Sequence, residues 1–133
     1  MARTPGQSES VRGVTITTVY GLIGWAVCGM TMGAAMAATR LDHALVIHAL
    51  AAPVIFAALS CFFFRRFEWA TPVRTAAVFV GVVIGMDLCV VALLIERSFA
   101  MFESILGTWL PFILIFVATW RTGVVVRRAA QQT

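Results

Sequence analysis

Residues 73–95 read VRTAAVFVGVVIGMDLCVVALLI, and this stretch decides the fold. Arg74 lies near its start, and beyond that arginine the only charged residue is Asp87. A helix rises 1.5 Å per residue, so this stretch would be ~35 Å long, enough to cross a hydrocarbon core of about 30 Å. The pattern is typical of a membrane-spanning helix.

Three further apolar runs, at residues 14–39, 41–64 and 98–120, are also long enough to cross a bilayer. The fourth could be restricted to residues 105–120, but the longer version leaves Glu96 and Arg97 as a tight turn. The 133 residues are 61% hydrophobic and 12% charged, with a mean hydropathy of +0.95. Soluble domains are about 45–50% apolar and about 25% charged. The sequence therefore predicts an all-α polytopic membrane protein, an antiparallel bundle of four transmembrane helices within residues 14–120.

The first span has one competing interpretation, because the small residues 35–37 resemble a signal-peptide cleavage site. Signal peptides have apolar cores of about 7–15 residues. The run at 14–39 is much longer, so we expect it to be retained as a span. Cleavage would leave three spans.

The arginines predict the orientation of the chain, which contains ten arginines and no lysine. Lys and Arg accumulate in cytoplasmic loops. One side of the predicted bundle carries eight: Arg3, Arg12, Arg65, Arg66, Arg74, Arg121, Arg127 and Arg128. Arg40 and Arg97 lie opposite. We therefore expect cytoplasmic tails at 1–13 and 121–133 in a bacterial inner membrane. Arg65-Arg66 and Arg127-Arg128 are interpreted as topology determinants and anionic-lipid contacts. Arginines spread among loops do not indicate nucleic-acid binding.

Polar residues inside the spans indicate where chemistry would occur. Counted from the predicted outer ends of the spans, His48 lies ~10 Å deep, Asp87 and Thr31 ~12 Å, and Glu103 ~8 Å. This places them in one layer, and we expect His48 to pair with Asp87, since each offsets the desolvation of the other. Three more polar residues would lie above this layer, at the outer mouth: Asp42, His43 and Glu96.

These residues favour a proton- or cation-coupled transporter or channel that uses the buried His/Asp pair, because an intramembrane acid is by default a functional site. One alternative is a non-catalytic accessory or assembly subunit of a larger membrane complex, with a polar layer that only fixes packing. A second is a membrane redox or metal protein using His48 or the ladder Cys28, Met32 and Met36. We predict no catalytic residue, no cofactor and no metal site, and do not expect an enzyme.

Small residues predict close helix contacts. Gly81, Gly85 and Cys89 form a stripe about 160° around the helix from Asp87. Because the third span would then be buried on two opposite sides, we expect a homo-oligomer or a larger membrane-protein partner. A short internal match joins residues 24–28 (GWAVC) to 85–89 (GMDLC), with Pro53 and Pro111 in the spans that follow. The match is too short to establish a repeat, but it predicts two helical hairpins in parallel orientation.

Overall fold

The computed structural model describes residues 5–95, 103 and 105–132. Helix α1 is Pro5–Ala38, α2 is Leu41–Arg66, and α3 is Pro72–Met86, continued by a π-helical segment at Asp87–Ile95. A second π-helical segment, Ile105–Trp109, leads into α4, Leu110–Gln131. The parts long and apolar enough to span a membrane are Ser10–Ala38, Leu41–Arg66, Pro72–Leu94 and Leu110–Gln131. The predicted fold is confirmed: the chain is a multi-pass membrane protein built as a four-helix bundle.

The helix ends follow from local sequence. The helical backbone breaks at Thr39 and Arg40 between α1 and α2, and again at residues 67–71 before Pro72 opens α3. A proline is well accommodated in the first helical turn, where its missing N–H costs no bond. The predicted fourth span, 98–120, begins among residues outside the described part of the chain. The described α4 continues to Gln131, so it includes most of the segment 121–133 that we expected to be a tail.

The helices form a ring in which α1 and α4 each pack against both α2 and α3. A Cβ placed on Gly21 of α1 would lie 3.2 Å from Val82 of α3, and Trp25 bonds to Asp87 one turn further along both helices. These helices therefore run in the same direction. Hairpin α1–α2 lies beside hairpin α3–α4 in parallel orientation, as the internal match predicted, and the matched segments are neighbours.

Two ends of the bundle are distinguished by charge. The "arginine end" is the end that carries Arg12, Arg65, Arg66, Arg74, Arg121, Arg127 and Arg128, and the "turn end" carries Thr39 and Arg40. At the arginine end, Arg127 of α4 donates from Nη2 to the carbonyl oxygens of Phe67, at 3.2 Å, and of Ala70. This contact fastens α4 to the connector between α2 and α3.

The interior of the arginine-end half is filled by aromatic rings. Phe56, Phe63 and Phe79 are fully buried, with ring centroids 5.8 Å apart for Phe56 and Phe79 and 5.7 Å for Phe63 and Phe79. Edge-on contacts continue outward to Tyr20, 5.1 Å from Phe63. We call the rings of Tyr20, Phe56, Phe63, Phe67, Trp69 and Phe79 the "aromatic cluster". It joins the diagonal helices α2 and α3 across the bundle axis.

Candidate functional site

The best-defined polar contact inside the bundle joins the two hairpins. The indole Nε1 of Trp25, on α1, donates a hydrogen bond of 2.8 Å to Oδ1 of Asp87. Asp87 lies where α3 changes from α-helical to π-helical geometry, and its side chain is largely withdrawn from the surface. Cys28, one turn beyond Trp25 on the same helix, is 5% exposed. The site is therefore a carboxyl group between α1 and α3.

The partner of Asp87 is neutral, which determines the chemistry of the site. An indole is a donor only and carries no charge, so it orients a carboxyl oxygen without neutralising the anion. Among the described residues, no arginine or histidine forms an ion pair with Asp87. A carboxylate anion without a cation is costly in the hydrocarbon layer. The geometry thus suits a carboxyl group that takes up a proton or a cation.

The expected direct pair between His48 and Asp87 is not observed in the described part of the chain. Nδ1 of His48 is buried and has no hydrogen-bond partner, whereas Asp87 accepts from Trp25. Their helices, α2 and α3, are diagonal in the ring. His48 lies eight residues after Arg40, and Trp25 lies 15 residues before it. These separations put His48 ~12 Å and Trp25 ~22 Å from the turn end.

The predicted depths required the end of the third span to be level with the start of the second, and the helices are in a different register. The contacts Gly21–Val82 and Trp25–Asp87 set the register of α3 against α1. In that register Ile95 is level with Gly33, roughly 10 Å short of the turn between α1 and α2. Asp87 is therefore near the middle of the bundle, and His48 is about two turns closer to the turn end.

The other predicted site residues do not gather around Asp87. Thr31, at a depth close to that of His48, donates its hydroxyl to the carbonyl of Val27 in its own helix, at 2.9 Å. Glu103 is exposed, as are Asp42 and His43 in the first turn of α2. Glu96 lies outside the described residues.

Sequence reasoning missed three interior polar groups. Trp25 was the most important, and its place in the middle of a span, away from the interfaces where tryptophan concentrates, was the available signal. Ser60 of α2 and Thr119 of α4 are fully buried, and neither hydroxyl has a hydrogen-bond partner in the described chain. Each precedes by one turn the contact between Phe64 and Gly123, so the two hydroxyls share one level. No pattern in the sequence signalled that level.

The described residues contain no group of three or more His, Cys, Asp or Glu that could hold a metal ion. The ladder of Cys28, Met32 and Met36 passes from the interior to the surface: Cys28 is 5% exposed and Met36 is 53% exposed. Its three sulfur atoms therefore do not face one enclosed space.

No family model, curated protein or solved structure matches this chain. The site must be interpreted from its own geometry.

Proposed function

We propose that the protein is a small proton- or cation-coupled transporter or channel, and that Asp87 carries the proton or cation. The observation that supports this most strongly is the contact of Asp87 with Trp25, a neutral donor, in the bundle interior. An ionised side chain in mid-membrane costs about 2.5–3.5 kcal/mol on insertion scales. A proton or bound cation removes that cost, so loading and unloading of Asp87 is the step that the site is built to perform.

The position of Asp87 supports the same proposal. It lies near mid-depth, at the contact between two hairpins that run in parallel. Transporters built from internal repeats place their coupling-ion sites near the bilayer midplane at the repeat interface. The resemblance is one of helix arrangement. Trp25 lies in the first of the two matched segments, residues 24–28, and Asp87 lies in the second, residues 85–89.

The backbone on the turn-end side of Asp87 supplies a route for access. Asp87–Ile95 and Ile105–Trp109 are both π-helical, and π-helical turns are rare and concentrate at functional sites. Pro53, inside α2, removes a further backbone hydrogen bond. A widened and loosened wall can admit water or an ion from the turn end to Asp87.

On the other side of Asp87, the aromatic cluster closes the interior. Phe63 and Phe79 are fully buried between Asp87 and the arginine end, and Phe56 is fully buried at about the level of Asp87. Beyond Phe56, Ser60 and Thr119 offer unpartnered hydroxyls, ~30 Å from the turn end. Steps of ~8–10 Å separate His48, Asp87 and this hydroxyl pair, too long for direct proton transfer. Water, or a movement of the rings, must complete the path.

We propose the orientation predicted from the arginines, with both termini in the cytoplasm of a bacterium and the chain in its inner membrane. The described arginines support it: the arginine end carries Arg12, Arg65, Arg66, Arg74, Arg121, Arg127 and Arg128, and the turn end carries Arg40 alone. In this orientation Asp87 would be open to the periplasm and closed to the cytoplasm.

A second candidate is an accessory subunit or homo-oligomer, and it is favoured by the bare face of α3. Gly81 and Cys89 are exposed, Gly85 is partly exposed, and a Cβ on either glycine would meet nothing within 4 Å. Small residues at this spacing support close helix packing in membranes. Co-purification of one larger membrane protein, with no transport by the chain alone, would support the accessory function.

The test is ion flux in proteoliposomes that contain the purified protein, read with an internal pH dye under a clamped membrane potential. Asp87→Asn cannot exchange a proton, so we expect it to abolish the flux. Asp42→Asn is the matched control, since Asp42 is exposed in the first turn of α2, and it should keep most of the wild-type rate. Equal flux in wild type and Asp87→Asn would refute the role of Asp87.

A further inference from the structure

A groove opens at the arginine end between the C-terminal parts of α2 and α4, far from Asp87. Its volume is about 900 Å³. Three arginines line it, Arg65 on α2 and Arg121 and Arg127 on α4, and Glu68 is the one acidic residue among the lining residues. The remaining wall is mostly apolar and includes Cys61, Phe64 and Val125. The groove thus has a cationic part and an apolar part.

The arginines of the groove differ in how they are held. Arg127 is fixed, because Nη2 donates to the carbonyl oxygens of Phe67 and Ala70 and its guanidinium lies 6.0 Å from the centroid of the Phe64 ring. Its Nε is buried without a hydrogen-bond partner among the described residues. Arg65 and Arg121 are exposed, and within the described chain no carboxylate pairs with either. Two exposed guanidinium groups therefore border an anchored one.

The length of the groove along the bundle axis is close to the thickness of a membrane headgroup layer. Arg121 and Arg127 are separated by six residues of helix, which is ~9 Å along the axis. The polar layer on each side of a bilayer is about 5–8 Å thick, given a core of about 30 Å in a total of about 40–45 Å. The arginines thus span headgroup depth, while Cys61 and Phe64 continue the wall toward the hydrocarbon.

We propose that this groove binds an anionic phospholipid, with its phosphate at Arg65 and Arg121 and an acyl chain against Cys61, Phe64 and Val125. The arginines favour an anionic ligand. The apolar residues of the groove favour a ligand that also has a hydrocarbon chain over a soluble anion. Each Lys or Arg near an anionic lipid surface contributes about 1 kcal/mol, which is about a fivefold change in affinity. This site does not depend on the function proposed for Asp87.

The test is a lipid titration of the full-length protein in mild detergent, with bound lipids counted by native mass spectrometry. The probes are phosphatidylglycerol and phosphatidylcholine with identical acyl chains. We expect phosphatidylglycerol to bind at least about tenfold more tightly, from the two free arginines. The double variant Arg65→Gln/Arg121→Gln should lose this preference. Arg12→Gln removes the same type of charge from an exposed position of α1 outside the groove, and it should keep the preference.

Two further variants separate a loss of charge from misfolding, and a competition experiment separates a lipid from a soluble anion. Arg65→Lys/Arg121→Lys retains both charges and should bind phosphatidylglycerol within about threefold of wild type, and Glu68→Gln removes a repelling carboxylate and should bind it more tightly. Inorganic phosphate at matched ionic strength should not compete. Equal affinity for the two lipids, an equal loss in Arg12→Gln, or full competition by inorganic phosphate would each overturn the proposal.

Discussion

The interiors of the two halves of this bundle are packed with side chains of different size. In the arginine-end half, rings fill the interior and leave no room for a side chain at two glycines. A Cβ on Gly24 would lie 2.6 Å from Phe56, and one on Gly123 would lie 2.8 Å from Phe64 and from Pro72. Toward the turn end, small side chains take the place of the rings: Ala44, Ala49, Ala52 and Ala92 are buried there. There, two segments are π-helical. Asp87 lies where the two halves meet.

This contrast shows how a small bundle can combine stability with access to a buried site. Interiors at crystal-like density resist change, whereas a region with few tight contacts opens at low free energy. We infer that the ring-filled arginine-end half supplies most of the free energy that holds the four helices together, and that the π-helical backbone of the turn-end half allows movement near Asp87. The predictions below test that division, beginning with the change that should cost most.

The largest loss of stability should come from Phe79→Ala. Phe79 is fully buried and contacts the rings of Phe56 and Phe63. Truncation leaves a cavity. The unfolded state is solvated by lipid or detergent, so moving the ring from that state into the core contributes less than it would in a water-soluble protein. We therefore expect a loss of about 2–3 kcal/mol in the free energy of unfolding. Titration with SDS in mixed micelles measures it. Phe62→Ala is the control, since Phe62 is 65% exposed. A comparable loss there would show that burial in the aromatic cluster does not account for the stability lost in Phe79→Ala.

Gly123→Ala should have the next largest effect. The added methyl would collide with Phe64 and with the ring of Pro72, which has little freedom to move. Overpacking of this kind costs about 1–3 kcal/mol, and the same SDS titration would show it. Gly33, in the turn-end half, is exposed and an added Cβ would meet nothing within 4 Å, so Gly33→Ala should be neutral or slightly stabilising. If Gly33→Ala proved the more damaging substitution, the contrast between the halves would be wrong.

Trp25→Phe should have the smallest effect on stability. It removes the donor to Asp87, and hydrogen bonds between membrane helices contribute about 0.6 kcal/mol on average. The loss should vanish when the substitution is made in an Asp87→Ala background, since no acceptor then remains. Trp120→Phe, at a position 38% exposed, should cost nothing measurable in the same titration. Additive effects of the two substitutions would contradict the bond as described.

Much of this fold could be predicted from the sequence, because lipid leaves a long apolar run few options besides a helix. Helical geometry alone also predicted that Asp87 lies on the side of the third helix opposite the stripe formed by Gly81, Gly85 and Cys89. The stripe is exposed or partly exposed and Asp87 faces α1.

The site was predicted less well, because it depends on how the helices pair and slide. Nothing local in the sequence places α1 beside α3 or makes Gly21 level with Val82. In that register Asp87 lies away from His48 and accepts a hydrogen bond from Trp25. Sequence identified the acid, and only packing could identify its neighbour.

The most direct measurement of the central claim is flux through proteoliposomes treated with a hydrophobic carbodiimide, which reacts with protonated carboxyl groups from within the membrane. Mass spectrometry would locate the adduct. We predict modification of Asp87, with loss of flux in proportion to the fraction modified, and no further loss when the reagent is applied to Asp87→Asn. Modification confined to exposed carboxylates such as Asp42, or unchanged flux when Asp87 is fully modified, would contradict a proton-carrying carboxyl group at the centre of this bundle.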